Sequence, residues 1–303
     1  MHSILVAIIL MLFAAPLSAQ QVADTTFQPT IQNPAYAVGT GPVVLIDAAH
    51  HNFHTLDGRF LAFGRVLKGD GYVVRSSDAP FSSFSLAGTA ILVISNALNE
   101  RNVEDWSLPT PSAFSAEEIA AVREWVESGG SLWLIADHMP MPGAASDMAA
   151  AFGFQFNNGF AIDTMSRDVT IFRRGDGSLR DHPITNGRGA AEKVDSIRTF
   201  TGQAFQANSN AFPLFVFRPP TVSLMPDVAW EFGPRTQVVP VDGWYQAAVA
   251  PVGRGRVAVF GEAAMFTAQV FNQGNVRAGM NHPMAEDNAQ LLLNVMHWLT
   301  GVL

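Results

Sequence analysis

Apolar residues in this chain come in short unbroken runs that stop abruptly at polar side chains. Val43–Asp47 (VVLID), Tyr72–Arg75, Ala90–Ser95 and Leu132–Ala136 each have strand length, and most are rich in Val, Ile and Leu. Such runs, without polar alternation, predict strands buried on both faces. Between them the period changes. Leu56, Phe60, Phe63 and Leu67 recur at helical spacing over Leu56–Lys68, and Gly69-Asp70-Gly71 ends that helix. Ser115 and Glu118 form a capping box ahead of an apolar face of Ile119, Val122, Trp125 and Val126, which stops at Gly129-Gly130. Gln246–Pro251 and Arg256–Phe260 then flank Gly253-Arg254-Gly255 as a hairpin-like pair. Asp287–Leu299 carries Leu291, Val295 and Trp298 on one face of a closing helix. This alternation predicts an α/β fold, with a mostly parallel sheet and helices on both faces.

Residues 153–244 break the rhythm. They are rich in Asn, Gly, Pro and Phe, with short β-like pieces at Val169–Phe172, Ile197–Phe200 and Leu214–Phe217. They predict a β-rich insertion or sheet extension forming a wall of the cleft, and their Trp and Phe residues could line it or pack as core. Ahead of the sheet, residues 20–41 are polar, with Pro29 and Pro34, and predict an extended N-terminal arm. Residues 1–19 differ again. Ile4–Ala15 is apolar but too short for a membrane span, and Ser18-Ala19 suits cleavage before Gln20, so this stretch predicts a signal peptide and a periplasmic or secreted protein. No second apolar run predicts a membrane span once the leader is removed.

The net charge of −8 argues against nucleic acid as a partner, because a basic surface is what such binding needs. The chain has no cysteine, which excludes disulfides and any thiol nucleophile.

The polar residues that end the apolar runs are the candidate chemistry. In an open α/β sheet, ligands bind beyond the carboxyl ends of parallel strands. Asp47, His50, His51 and His54 follow one strand, Asn96 another, Asp137 and His138 a third, and Glu262 a fourth; His282 sits in a late loop. Carboxylate and imidazole suit a divalent metal, zinc above others, so Asp47, His50 and His51 are the candidate metal ligands. Asp137, His138 and Glu262 are the candidate catalytic groups for metal-assisted hydrolysis, in which the metal activates water. Asn96, His54 and His282 are candidate ligand contacts. Each has an ordinary alternative: Asp and Asn order turns, and Glu262 could accept backbone N–H groups at a helix start. No HExxH zinc motif, G-x-S-x-G elbow or phosphate loop is present.

Four segments together carry a resemblance: SAEEIAAVREWVESGGSLWLIAD, DHPITNG (Asp181–Gly187), GRGRVAVFGEAAMF and DNAQLLLNVMHWL. The chain resembles the class I glutamine-amidotransferase-like superfamily over roughly residues 42–302, and within it the DUF4350-type and ThuA-like branches. The resemblance implies a flavodoxin-like sheet and one amidotransferase-like domain over 42–302. True amidotransferases carry a Cys at the turn after the strand that is here Leu132–Ala136. This chain has Asp137-His138 there, so cysteine-dependent glutaminase chemistry is excluded. Two functions stay open: an exported metal-assisted hydrolase, or a non-catalytic module binding a small molecule or carbohydrate.

Overall fold

The computed structural model describes residues 21–165, 169–271 and 276–303. The expected leader, residues 1–19, lies outside the described residues. The main sheet is built from β1 (Val43–Asp47), β2 (Val73–Ser77), β3 (Ile91–Ser95), β4 (Ser131–Ile135), β5 (Phe154–Phe156), β6 (Phe205–Ala207), β7 (Phe212–Val216), β8 (Tyr245–Val252) and β9 (Gly255–Phe260). Its order is β2-β1-β3-β4-β9-β8-β6-β5, with β7 also paired to β8. The first five strands in that order run parallel to their neighbours, while β8, β7, β6 and β5 add on antiparallel.

The sheet is therefore mixed, which corrects the expectation of a mostly parallel one. The reason is local. The Gly253 turn (φ 58°) folds β8 back along β9, and a strand returned by a tight turn can only pair antiparallel. The β-rich section then extends that antiparallel side. It also forms a small sheet of Gln237–Pro240, Thr221–Met225 and Phe160–Asp163, and a two-stranded ribbon of Ile171–Arg173 with Ser196–Arg198.

Alternation along the parallel strands assigns the two faces. Val44, Ile46, Ile91, Val93, Trp133, Ile135, Ala258 and Phe260 point into one core, with α1 (Leu61–Gly69) and α4 (Asn288–Leu299) packed over it. Leu45, Leu92, Ile94, Leu132, Leu134, Val257 and Val259 point into the other, under α2 (Ala116–Glu127) and α3 (Met141–Ala151). Helices on both faces are thus as expected. Helix α1 starts five residues later than its periodicity suggests, because Thr55 accepts from Gly58 and Phe60 in a turn instead. The Ser115–Glu118 capping box is present at α2. Helix α3 was not among the predicted elements; Pro142 and Gly143 obscure it, yet proline is tolerated in a first turn, where its missing N–H has no helical partner to lose. The N-terminal arm is anchored: Val22–Ala23 pairs with Ala268–Phe271.

Candidate functional site

Parallel register puts four strand ends on one edge. Asp47 pairs with Ser77, and Ser95, Ile135 and Phe260 are level with one another, so Asp47, Asn96, Asp137 and Glu262 emerge on the same side of the sheet. The edge is strained. The non-glycine residues with positive φ among the described residues are His51 (47°), Asn96 (49°) and Trp230 (69°). The first two follow β1 and β3, and the third lies against His138 after β4. Left-handed backbone at bulky residues is unfavourable by about 1–3 kcal/mol each, and such outliers concentrate at functional sites.

Asp47, His50 and Asn52 form a closed polar network. Asp47 is fully buried; both its oxygens lie 2.9 Å from His50 Nδ1, and Oδ2 accepts from Asn52 Nδ2. His50 Nε2 lies 2.9 Å from Glu118 Oε1 at the start of α2. Both ring nitrogens thus face carboxylates. Burial pulls the His50 pKa down, but hydrogen bonds and charge from Asp47 and Glu118 outweigh it and hold the pKa above its ordinary value. An imidazole engaged on both nitrogens has no lone pair for a metal, and His51 is exposed. Among the described residues no three His, Asp or Glu side chains are placed to hold a metal ion. The network instead ties the loop after β1 to helix α2.

Asn96 does for the next group what a clamp does. Its Oδ1 accepts the Asp137 N–H (2.8 Å), which orients its amide, so Nδ2 must donate to His54 Nδ1 (3.0 Å). This fixes the His54 tautomer: Nδ1 accepts, and Nε2 carries the proton. Burial, with positive charge on Arg59 and His138, drives the His54 pKa down to about 3. His54 is therefore neutral at physiological pH and presents a single N–H donor. His138 has the opposite polarity. Its Nδ1 donates to the Met139 carbonyl (2.7 Å), so in the neutral ring Nε2 is a lone-pair acceptor. Neither Nε2 has a hydrogen-bond partner within the described residues.

Asp137 and Glu262 are close enough to act on each other. Burial raises the Asp137 pKa against the charge of His138. Burial and then the Asp137 charge push Glu262 well above its ordinary value. Glu262 is fully buried and accepts the N–H groups of Ala264 (3.0 Å) and Met265 (2.8 Å), where it caps a short helical turn. His282 stands apart from the cluster's hydrogen bonds, its ring 6.1 Å from Phe200 and its Nδ1 accepting from Met284.

Residues not singled out from the sequence complete the site. The His138 ring stacks on Phe160 (4.5 Å, 13° between planes) and meets Trp230 (4.6 Å) and Trp106 (6.1 Å). Trp106 in turn meets Phe53 (5.5 Å), over which the Arg59 guanidinium lies at 3.9 Å. Trp230 is 46% exposed. The aromatic richness of residues 153–244 was the one available signal for Phe160 and Trp230. Nothing local marks Arg59, Phe53 or Trp106.

The fold has relatives among solved structures. The mmIFT52 N-terminal domain superposes with a TM-score of 0.58 at 14% identity, covering 85% of this chain and 97% of that one. A cytoplasmic protein from Salmonella typhimurium gives 0.50 at 12% identity, covering 85% and 98%. A ThuA-like protein from Bacteroides uniformis gives 0.49 at 12% identity, covering 88% and 95%. At these identities the similarity is one of fold. No protein-family model matches the chain. No curated protein matches it either.

Proposed function

We propose that the protein is a ligand-binding module whose site is the aromatic-walled edge around His138, and that it takes a small polyhydroxylated, carbohydrate-type ligand. The observation that carries this reading is Trp230, a half-exposed tryptophan held at positive φ against His138. An exposed ring beside a few convergent polar groups suits a ligand with one apolar face and several hydroxyls. His54 Nε2 offers a donor and His138 Nε2 an acceptor, with the buried Asp137 carboxyl beside them. The test is tryptophan fluorescence during titration with a panel of mono- and oligosaccharides. Trp230→Ala and His138→Gln should each weaken binding at least about tenfold, near 1.4 kcal/mol. A panel without any saturable response, or variants that bind like the parent, would defeat the reading.

A second reading rests on the free His138 Nε2. Anchored through Nδ1–H, that ring is oriented to take a proton from water or a ligand hydroxyl, so the module could also hydrolyse what it binds without a metal. Product analysis of any sugar that binds, with His138→Gln as control, separates binder from enzyme.

We further infer export with cleavage before Gln20, a flavodoxin-like core, and a place in the DUF4350-type or ThuA-like branch. The apolar Ile4–Ala15 segment supports the first, and the order of the five parallel strands supports the second. The quoted motifs support the third. An intact mass beginning at Met1 in soluble cytoplasmic protein would overturn the export reading.

A further inference from the structure

We propose that the ligand of this site carries an oxyanion group (carboxylate, sulfate or phosphate), held by Arg59 and the His54 Nε2–H at the Phe53 end of the aromatic wall. The proposal rests on the ligand-binding reading above and narrows it.

Arg59 is the anomaly. Arg101, Arg123, Arg174 and Arg188 each pair with a carboxylate at 3.2 Å or less. Arg59 forms no ion pair and no hydrogen bond among the described residues. Its Nε is sealed from solvent without an acceptor, and the guanidinium packs on Phe53. Leaving one donor of a half-buried guanidinium sealed without an acceptor is unfavourable, and the partial burial depresses its pKa.

The surroundings match an incoming anion. His54 and Arg59 both lie against the Phe53 ring, at 5.6 Å and 3.9 Å, and His54 Nε2 carries a proton that no acceptor among the described residues takes. A planar guanidinium fork beside a fixed N–H is a recognised arrangement for oxyanions. The wall continues from Phe53 through Trp106 to His138 and Trp230, so an anionic group at Arg59 leaves the rest of a ligand over the aromatic rings.

The test uses the full chain labelled with 15N. The Arg59 Nε–H resonance is assigned by its loss in Arg59→Gln, then followed during titration with acetate, sulfate and inorganic phosphate. Saturable movement with at least one anion is expected, and the anion acting at lowest concentration identifies the oxyanion type. Galacturonate should bind at least about tenfold tighter than galactose, and Arg59→Gln should reduce that preference to about twofold or less. Arg59→Lys should retain part of it, because charge survives while the fork does not. Trp230→Ala should lose the sugars yet keep the Arg59 response to small anions. If that response holds while neither sugar binds, the anion site stands and the carbohydrate reading falls. If galactose binds as well as galacturonate, or no anion moves the resonance by about 50 mM, the inference is overturned.

Discussion

Removing Glu118 should destabilise the protein in a pH-dependent way, because this side chain joins a helix cap to the loop that carries Phe53 and His54. Its Oε2 accepts the Ser115 N–H, and its Oε1 serves both Phe81 N–H (3.0 Å) and His50 Nε2 (2.9 Å). Glu118→Ala loses the reciprocal half of the capping box, about 1 kcal/mol. It also orphans two donors, each unfavourable by about 1–3 kcal/mol when buried. The Glu118 side chain is 14% exposed, so water reaches part of the gap and the low end applies. The sum is about 3 kcal/mol.

Its pH dependence follows from two shifted groups. The His50 pKa is raised above 6.5, so the stability from its protonation is complete below about pH 6.5 and is lost as pH rises through the folded value. The Glu118 pKa is lowered from 4.5: burial opposes this, but hydrogen bonds from Ser115, His50 and Phe81 outweigh it. Its stability is complete above about pH 4.5 and is lost as pH falls through the folded value. Both are in force between these limits. Urea denaturation of parent and Glu118→Ala at about pH 5.5 should therefore show the full cost, and at about pH 9 roughly 1 kcal/mol less. An equal cost at both values would mean that Glu118 does not hold the His50 proton, and the account of this network would fail.

Two further outcomes are expected. Glu262→Gln should alter the pH profile of stability: a carboxyl with a raised folded pKa gives stability that is complete below about pH 4.5 and lost as pH rises, so the variant should gain on the parent by at least about 1 kcal/mol between pH 4 and 8 in urea melts. Parallel profiles would contradict the burial assigned to Glu262. Gly255→Ala should destabilise by about 3 kcal/mol or more, read as a lowered Tm, because the new Cβ would lie 2.0 Å from Gly130 O and 2.3 Å from Val126 O, and backbone cannot step aside as a side chain can. A Tm within a degree or two of the parent would show that this contact relaxes.

How much of this could be read from the sequence depends on how local each cause is. The apolar strands β1, β3 and β4, the Ser115–Glu118 cap and the closing helix are local: a run of Val, Ile and Leu, or a Ser three residues before a Glu, contains most of its own reason. The position of Asp47, Asn96, Asp137 and Glu262 on one edge was equally legible, since it needs only that parallel strands end together. What the sequence could not supply were the partners. His50 reads as a metal ligand; that Glu118, 68 residues away, faces its second nitrogen is not legible locally. The antiparallel half of the sheet depends on pairings such as Phe205 with Phe156, which no local period encodes. The wall of Phe53, Trp106, Phe160 and Trp230 draws on four separate segments, each ordinary by itself. Arg59 becomes a candidate only when the fold places it on Phe53 with no carboxylate beside it. Local chemistry set the strands, caps and strand ends; which side chains meet there, and which are left without partners, was decided by long-range packing alone.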